Sequence, residues 1–163
     1  MSEIDSSDFL PLGNVFGFLT KKYIGIVSEK MSQTPVAKNY FALLTIGLNT
    51  EKISQQELAD HLLTDKVSLV RILDSLEKDE LIERITNPND RRQHLLKITE
   101  KGFPWISKIQ KVLKEADEAF LQFIAPEHRA CFRNELKSLC HSVKTLPAEE
   151  IELVYNRTKE SEK

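Results

Sequence analysis

The sequence predicts a mainly α-helical fold that carries one small β-hairpin. Five glycines and six prolines in 163 residues are few, which disfavours a turn-rich all-β protein. Apolar residues recur at helical spacing through most of the chain. Only residues 81–98 hold two short β-prone segments, and these flank a turn rich in Asn, Pro and Asp. Charged residues make up 29% of the chain and hydrophobic residues 40%, which excludes a mostly disordered protein.

Three helices are expected before the hairpin region begins. The first spans Leu12 to Lys30 and is apolar on more than one side, so we expect a second surface, such as a partner subunit, to cover it. The second starts near Thr34, with Pro35 at its first position, and ends near Gly47. The third opens with a capping box, because Ser54 is followed three residues later by Glu57.

A fourth helix is expected to start at Asp65. A short helix followed closely by a longer one is the outline of a helix-turn-helix. Its outer face is small, polar and basic towards its N-terminal half, as a DNA-reading helix requires. A solvated amphipathic helix shows the same pattern, but an outward Val67 favours DNA because it can pack against a thymine methyl group. The outer face holds Val67, Arg71, Asp74 and Lys78, and the inner face Leu69, Ile72, Leu73 and Leu76.

The predicted hairpin follows directly, and a hairpin after a helix-turn-helix is a wing. Its tip carries the pair Arg91 and Arg92, which suits a phosphate or the narrow, negative minor groove. A long helix is expected from Thr99 to about Ile124. Pro126 is expected to start a last helix that ends near Leu146.

The stretch from Ser54 to Gly102 resembles the MarR family of bacterial winged-helix transcription regulators. Two segments carry the resemblance: Asp65-Lys66 through Leu81-Ile82, and Asp90-Arg91-Arg92 through Leu96-Lys97-Ile98-Thr99-Glu100-Lys101-Gly102. The flanking helices fit the family plan by their pattern alone. The chain departs from the family at Glu80, where glycine is usual. We therefore expect a strained or altered end of the fourth helix there.

The resemblance implies a winged helix-turn-helix flanked by N- and C-terminal dimerisation helices. The expected boundaries are 1–33 for the N-terminal dimerisation helix, 34–100 for the DNA-binding domain, 101–146 for the long and C-terminal helices, and 147–163 for a charged tail. By similarity, Asp90 would hold the wing by pairing with Arg92, which reaches the minor groove. Gln55 is a candidate phosphate contact at a helix N-terminus. The expected DNA-binding residues are Gln55, Lys66, Val67, Ser68, Arg71, Arg91 and Arg92.

The implied function is a cytoplasmic, ligand-responsive repressor that binds a pseudo-palindromic operator in double-stranded DNA as a homodimer. The eight basic and eight acidic residues between Asp65 and Lys101 cancel, so any DNA surface must arise from their arrangement. We expect Glu77, Asp79 and Glu80 to point away from DNA. The expected dimer interface holds Leu12, Phe132, Leu136, Leu139 and Val143. A pocket for a small aromatic or apolar effector is expected among Phe16, Thr20, Tyr40, Leu44, Trp105 and Ile109.

Other functions are less well supported by the sequence. The alternative is a winged-helix module that binds protein and no DNA, which the balanced charge leaves open. His128, Cys131, Cys140 and His141 fall on one predicted helix, and about 13 Å of helix between the cysteines keeps the four from sharing one zinc. We therefore expect no metal and no cofactor, two buried thiols, and two surface histidines. No nucleotide-binding, nucleophile-elbow or zinc-protease motif is present, so we expect no enzyme, and no apolar run is long enough for a membrane span.

Overall fold

Six helices and a three-stranded sheet make up the part of the chain that the computed structural model describes, residues 11–49, 52–62, 64–91, 93–143 and 146. The mainly α-helical fold with a β-hairpin is therefore confirmed. The predicted tail, 147–163, lies outside the described residues. The elements are α1 (Leu12–Met31), α2 (Tyr40–Leu48), β1 (Ile53–Ser54), α3 (Gln55–Leu62), α4 (Lys66–Lys78), β2 (Ile82–Thr86), β3 (His94–Ile98), α5 (Phe103–Leu121) and α6 (Pro126–Ser142).

Helix α2 begins later than the sequence pattern predicts. Residues 34–39 form turns, in which the amide of Ala37 donates to the carbonyl of Thr34 and that of Asn39 to Val36. These bonds span three residues and not the four of an α-helix, and Asn39 has φ −125°, outside the helical range. The prediction of a helix from Thr34 was therefore wrong by about six residues.

The sheet is antiparallel, in the order β1-β3-β2, and it contains the predicted hairpin. Ile82 pairs with Ile98 and Thr86 with His94, and the short strand β1 adds to the other edge of β3, with Ile53 opposite Leu96. The sequence analysis missed β1 because two residues are too few to show an alternating pattern.

One apolar core joins the sheet to α1–α5. Leu43 of α2, Leu58 of α3 and Leu73 of α4 are fully buried, together with Leu96 of β3 and Ile109 of α5. Helix α5 starts at Phe103 and not at Thr99, because residues 100–102 form a turn in which the amide of Gly102 donates to the carbonyl of Thr99, three residues earlier. The core thus fixes α3, α4 and the hairpin against the long helix.

Helix α6 lies largely outside this core, and none of its described residues is buried. Within the described residues its links to the rest include a salt bridge from Arg133 to Asp117, 3.1 Å, and a bond from Nε of Arg129 to the carbonyl of Ile124, 2.9 Å. Cys131 and Cys140 are exposed, so the expectation of buried thiols was wrong, because no other described element covers this helix. None of the described helices is both long and apolar enough to cross a lipid bilayer.

Candidate nucleic-acid interface

Helices α3 and α4 are each stabilised at the N-terminus by their own sequence. The capping box is confirmed: the amide of Glu57 donates to Oγ of Ser54, 3.2 Å, and the amide of Ser54 donates to Oε2 of Glu57, 2.8 Å. The Ser54 amide, and next its side chain, hold the pKa of Glu57 below its ordinary value. Gln55, a predicted phosphate contact, is the first residue of α3 and is half-buried.

Asp65 caps α4. Its Oδ1 accepts from the amides of Val67, 2.8 Å, and Ser68, 2.9 Å. Hydrogen bonding from the side chain and then the amide of Ser68 lowers the pKa of Asp65. Ser68 is accordingly half-buried and turned towards Asp65, while Lys66 beside it is exposed. Of these two predicted contacts, only Lys66 presents its side chain freely to solvent.

The outer face of α4 is the one that the sequence predicts. Leu69, Leu73 and Leu76 are buried, whereas Val67 is 62% exposed. Arg71, Asp74 and Lys78 are exposed on the same side as Val67. This arrangement gives α4 an outward surface with an apolar patch at its N-terminal end and cations along its length.

The wing tip lies between β2 and β3. Its turn is closed by a bond from the amide of Asn89 to Oδ1 of Asn87, 3.0 Å, and the amide of Gln93 donates to the carbonyl of Asp90, 3.0 Å. Arg91 is exposed at the tip. Arg92 lies outside the described residues, so its expected pairing with Asp90 stays a prediction.

Arg84 on β2 connects the wing to α4, which the sequence analysis missed. Its Nη1 lies 2.9 Å from Oε2 of Glu77 and its Nη2 lies 2.6 Å from Oδ1 of Asp74. Its backbone amide also donates to Oε1 of Glu77, 3.3 Å. One signal was available, because Arg84 lies two residues after the apolar Ile82 along β2 and so shares its face.

A second connection, here called the wing joint, is formed by Glu80, Leu81, Thr99 and Gly102. The hydroxyl of Thr99 donates to the carbonyl of Glu80, 2.7 Å, and accepts from the amide of Gly102, 3.0 Å. The Thr99 amide donates to the carbonyl of Leu81, 3.1 Å. Glu80 has φ 60°, so the expected strain at the end of α4 is confirmed.

Salt bridges leave the charges on α4 and the wing unevenly distributed. Arg84 pairs with both Asp74 and Glu77 and so offsets one of their two negative charges, Lys97 pairs with Glu83, and Lys101 pairs with Glu80. The hydrogen bond from Lys101, and then its charge, lower the pKa of Glu80. By contrast, four cations on α4 and the wing make no salt bridge to any carboxylate within the described ranges: Lys66, Arg71, Lys78 and Arg91.

The expected pocket residues do not share one environment. Leu44 and Ile109 are buried in the core, Tyr40 and Trp105 pack partly against it, and Phe16 and Thr20 are exposed on α1. A cleft of about 400 Å³ is lined instead by α6, and one of about 330 Å³ by residues 98–100, Phe103 and Pro104. The effector pocket stays a prediction.

The expected dimer residues are all exposed. Leu12 is 67% exposed at the start of α1, and three apolar side chains of α6 and a fourth at the residue that follows it are between 37% and 43% exposed. Those four recur at intervals of four, three and four residues, which places them on one face of the helix. They are Phe132, Leu136, Leu139 and Val143.

Comparison with known proteins identifies the same central region. Residues 38–94 match the sequence profile of the MarR family. A protein of Thauera aromatica assigned as a transcriptional regulatory protein for the hcr operon is 28% identical over 113 residues, which are 69% of this chain and 68% of that protein. A crystal structure of MarR is 23% identical, with a TM-score of 0.73 over 84% of this chain and all of that one. MepR of S. aureus, solved in complex with DNA, is 15% identical, with a TM-score of 0.71 over 82% of this chain and 99% of that one.

Proposed function

We propose that the chain is a transcriptional repressor of the MarR family, whose sequence profile residues 38–94 match, and that it binds a pseudo-palindromic operator as a homodimer. The observation that carries the proposal is the outer face of α4. Val67, Arg71 and Lys78 are exposed there, and the carboxylates closest along the same helix, Asp74 and Glu77, are both paired with Arg84, which offsets one of their two charges. A helix with this surface suits the major groove, where base edges and phosphates lie side by side.

The proposed contacts divide into two classes. Val67 is proposed to meet a base edge by contact with a thymine methyl, and Arg71 to hydrogen-bond to a guanine edge or to a phosphate. Lys66, Gln55 and Arg91 are proposed to meet phosphates, which position the protein without reading sequence. Ser68 is also proposed to contact DNA, since it lies in the first turn of α4. Its side chain is turned towards Asp65 and is less available to DNA than that of Lys66.

The wing contacts are proposed from the resemblance to the MarR family and from the exposed position of Arg91 at the wing tip. Arg92 is proposed to reach the minor groove, and Asp90 to hold the wing by pairing with it. Arg92→Ala is expected to weaken operator binding by about 1–3 kcal/mol. A module that binds only protein would have no DNA affinity to lose, so this variant also separates the two functions.

The dimer is proposed on the apolar surface that the described part of the chain does not cover. The face of α6 that holds Phe132, Leu136, Leu139 and Val143 and the exposed start of α1 together offer a surface of the kind that obligate dimers bury. Leu136→Glu is expected to shift the protein towards monomer in sedimentation equilibrium. A chain that is monomeric without any substitution would overturn the dimer.

Ligand response is proposed on the family membership alone. A small aromatic or apolar acid is proposed to bind near Trp105 and Tyr40, which are only partly buried against the core. Such a ligand can change DNA affinity only if it binds the two states of the dimer unequally. In a thermal-shift screen, a ligand at 100 times its Kd would stabilise the protein by about 2.7 kcal/mol. A broad panel without any shift would count against the pocket.

Selection from a random pool of duplex DNA tests the proposed function. We expect enrichment of a pseudo-palindrome whose half-sites are centred about 10 bp apart, since a two-fold dimer presents two copies of α4 one helical turn apart. The matched control is Lys111→Ala, which removes one exposed positive charge from α5 and leaves α4 and the wing intact. A pool without enrichment would overturn DNA reading and favour the protein-binding module.

A further inference from the structure

We propose that Arg84 is a positioning residue for DNA binding, and this inference rests on the proposed function. Arg84 belongs to β2 of the wing, yet its guanidinium lies on two carboxylates of α4. Through these contacts it would hold the wing at a fixed angle to α4 and reduce the negative charge that Asp74 and Glu77 give to α4.

The contact geometry suits a fixed orientation. Asp74 and Glu77 are three residues apart, so their side chains project from the same side of α4. A planar guanidinium presents forked donors that can engage both carboxylates at once, which a lysine ammonium cannot do in the same geometry. Glu77 in addition accepts from the backbone amide of Arg84. Strand and helix are therefore joined through main chain and side chain together.

Arg84 has little capacity left for DNA itself. Its side chain is only 21% exposed, and its Nε is buried with no hydrogen-bond partner among the residues that the structure describes. Both terminal nitrogens are directed at carboxylates. Arg84 thus differs from Arg71 and Arg91, which are exposed and without a carboxylate partner in the described ranges.

The same contacts control the field at the DNA-facing surface. The side chain of Asp74 is 58% exposed and lies on the outer face with Val67 and Arg71. Without Arg84, Asp74 and Glu77 would present two uncompensated negative charges where phosphates are proposed to lie. These carboxylates would repel the DNA phosphates, and the adjoining protein surface strengthens the repulsion because it lowers the effective dielectric constant.

The test compares Arg84→Met with the triple variant Arg84→Met/Asp74→Asn/Glu77→Gln. Operator affinity is measured by fluorescence anisotropy over a series of salt concentrations, at a temperature where circular dichroism shows every variant folded. We expect Arg84→Met to weaken binding about tenfold at low salt and by less at high salt, because salt screens the repulsion between the unpaired carboxylates and DNA. We expect the triple variant to recover most of that loss, because neutral amides replace the two carboxylates that Arg84→Met alone leaves unpaired.

Two further variants keep the outcome interpretable. Arg84→Lys retains the charge but not the fork, and we expect an affinity between those of the wild type and Arg84→Met. It serves as the test if Arg84→Met does not fold. Lys30→Met removes another exposed ion pair, the one with Glu115 that joins α1 to α5, and is expected to leave affinity within about twofold.

Three results would overturn the inference. Unchanged affinity of folded Arg84→Met would mean that Arg84 contributes to stability alone. A salt slope reduced by about one, with no recovery in the triple variant, would mean that Arg84 itself contacts phosphate. Absence of DNA binding by the unsubstituted protein would overturn the proposed function and this inference with it, and it is distinguished from the other two results because it appears before any substitution is made.

Discussion

Gly102→Ala is predicted to destabilise the protein strongly although it adds only one methyl group. The added Cβ would overlap the carbonyl oxygen of Leu81 and lie 2.9 Å from Cγ1 of Ile98. Gly102 has φ −75°, a value that any residue adopts, so no intrinsic backbone preference is involved. The effect is therefore a steric one, located at the wing joint.

The magnitude follows from how firmly Leu81 is held. Its carbonyl accepts from the amide of Thr99, its own amide donates to the carbonyl of Leu76, and its side chain is buried. Overpacking a core position typically costs about 1–3 kcal/mol, and a clash with pinned backbone belongs at the upper end. A loss of about 3 kcal/mol corresponds to a fall in Tm of roughly 6–12 °C for a chain of this size.

Urea denaturation at one fixed protein concentration provides the assay, because dimer formation makes apparent stability depend on concentration. Gly25→Ala is the matched control. A Cβ at Gly25 meets nothing within 4 Å, and alanine is better than glycine inside a helix by about 1 kcal/mol. The two substitutions are chemically identical and are predicted to act in opposite directions. A loss below about 1 kcal/mol in Gly102→Ala would refute the assignment of the joint as a rigid contact.

Three further predictions concern single side chains. Glu80→Gly should raise Tm by roughly 2–4 °C, because glycine adopts the left-handed backbone conformation without strain and only an exposed ion pair is lost. Glu80→Ala should not raise Tm, and differential scanning calorimetry checks both variants. The pKa of Asp65 is lowered in the folded protein, so its cap stabilises α4 fully above the unfolded pKa of about 3.9. This stabilisation is lost as pH falls through the lower folded pKa. The difference in unfolding free energy between the wild type and Asp65→Ser, measured in urea, should therefore change only in acid. Burial and then Asp117 raise the pKa of Tyr23, so one tyrosine should ionise late in an ultraviolet titration, and Tyr23→Phe should abolish that fraction; a late fraction that persists would show that Tyr23 is not its source.

The sequence predicted best those features that depend on neighbouring residues. The capping box at Ser54, the start of α4 near Asp65 and the inner face of α4 each follow from side chains that are close in sequence. The hairpin was also predictable, because β-prone segments flank a turn of Asn, Pro and Asp. Such features require no knowledge of tertiary packing.

Features that depend on distant partners were missed or misplaced. Arg84 lies seven and ten residues from Glu77 and Asp74, and only the packing of β2 against α4 brings them together. The start of α5 lies at Phe103 and not at Thr99, because Thr99 continues the hydrogen bonding between the strands through its amide and the distant carbonyl of Leu81. The cysteines of α6 were placed in a core that the described part of this chain does not supply. In each case the deciding contact is remote in sequence.

The salt dependence of DNA binding by the wild type and by Arg71→Ala tests the central claim most directly, namely that the outer face of α4 binds DNA. The plot of log affinity against log salt should be steep for the wild type, and Arg71→Ala should bind more weakly with a slope reduced by about one if Arg71 meets phosphate. If Arg71 reads a base instead, the slope should stay unchanged while preference for the enriched sequence is lost. Equal affinity, slope and preference in the two proteins would contradict the claim and remove α4 from the DNA-binding surface.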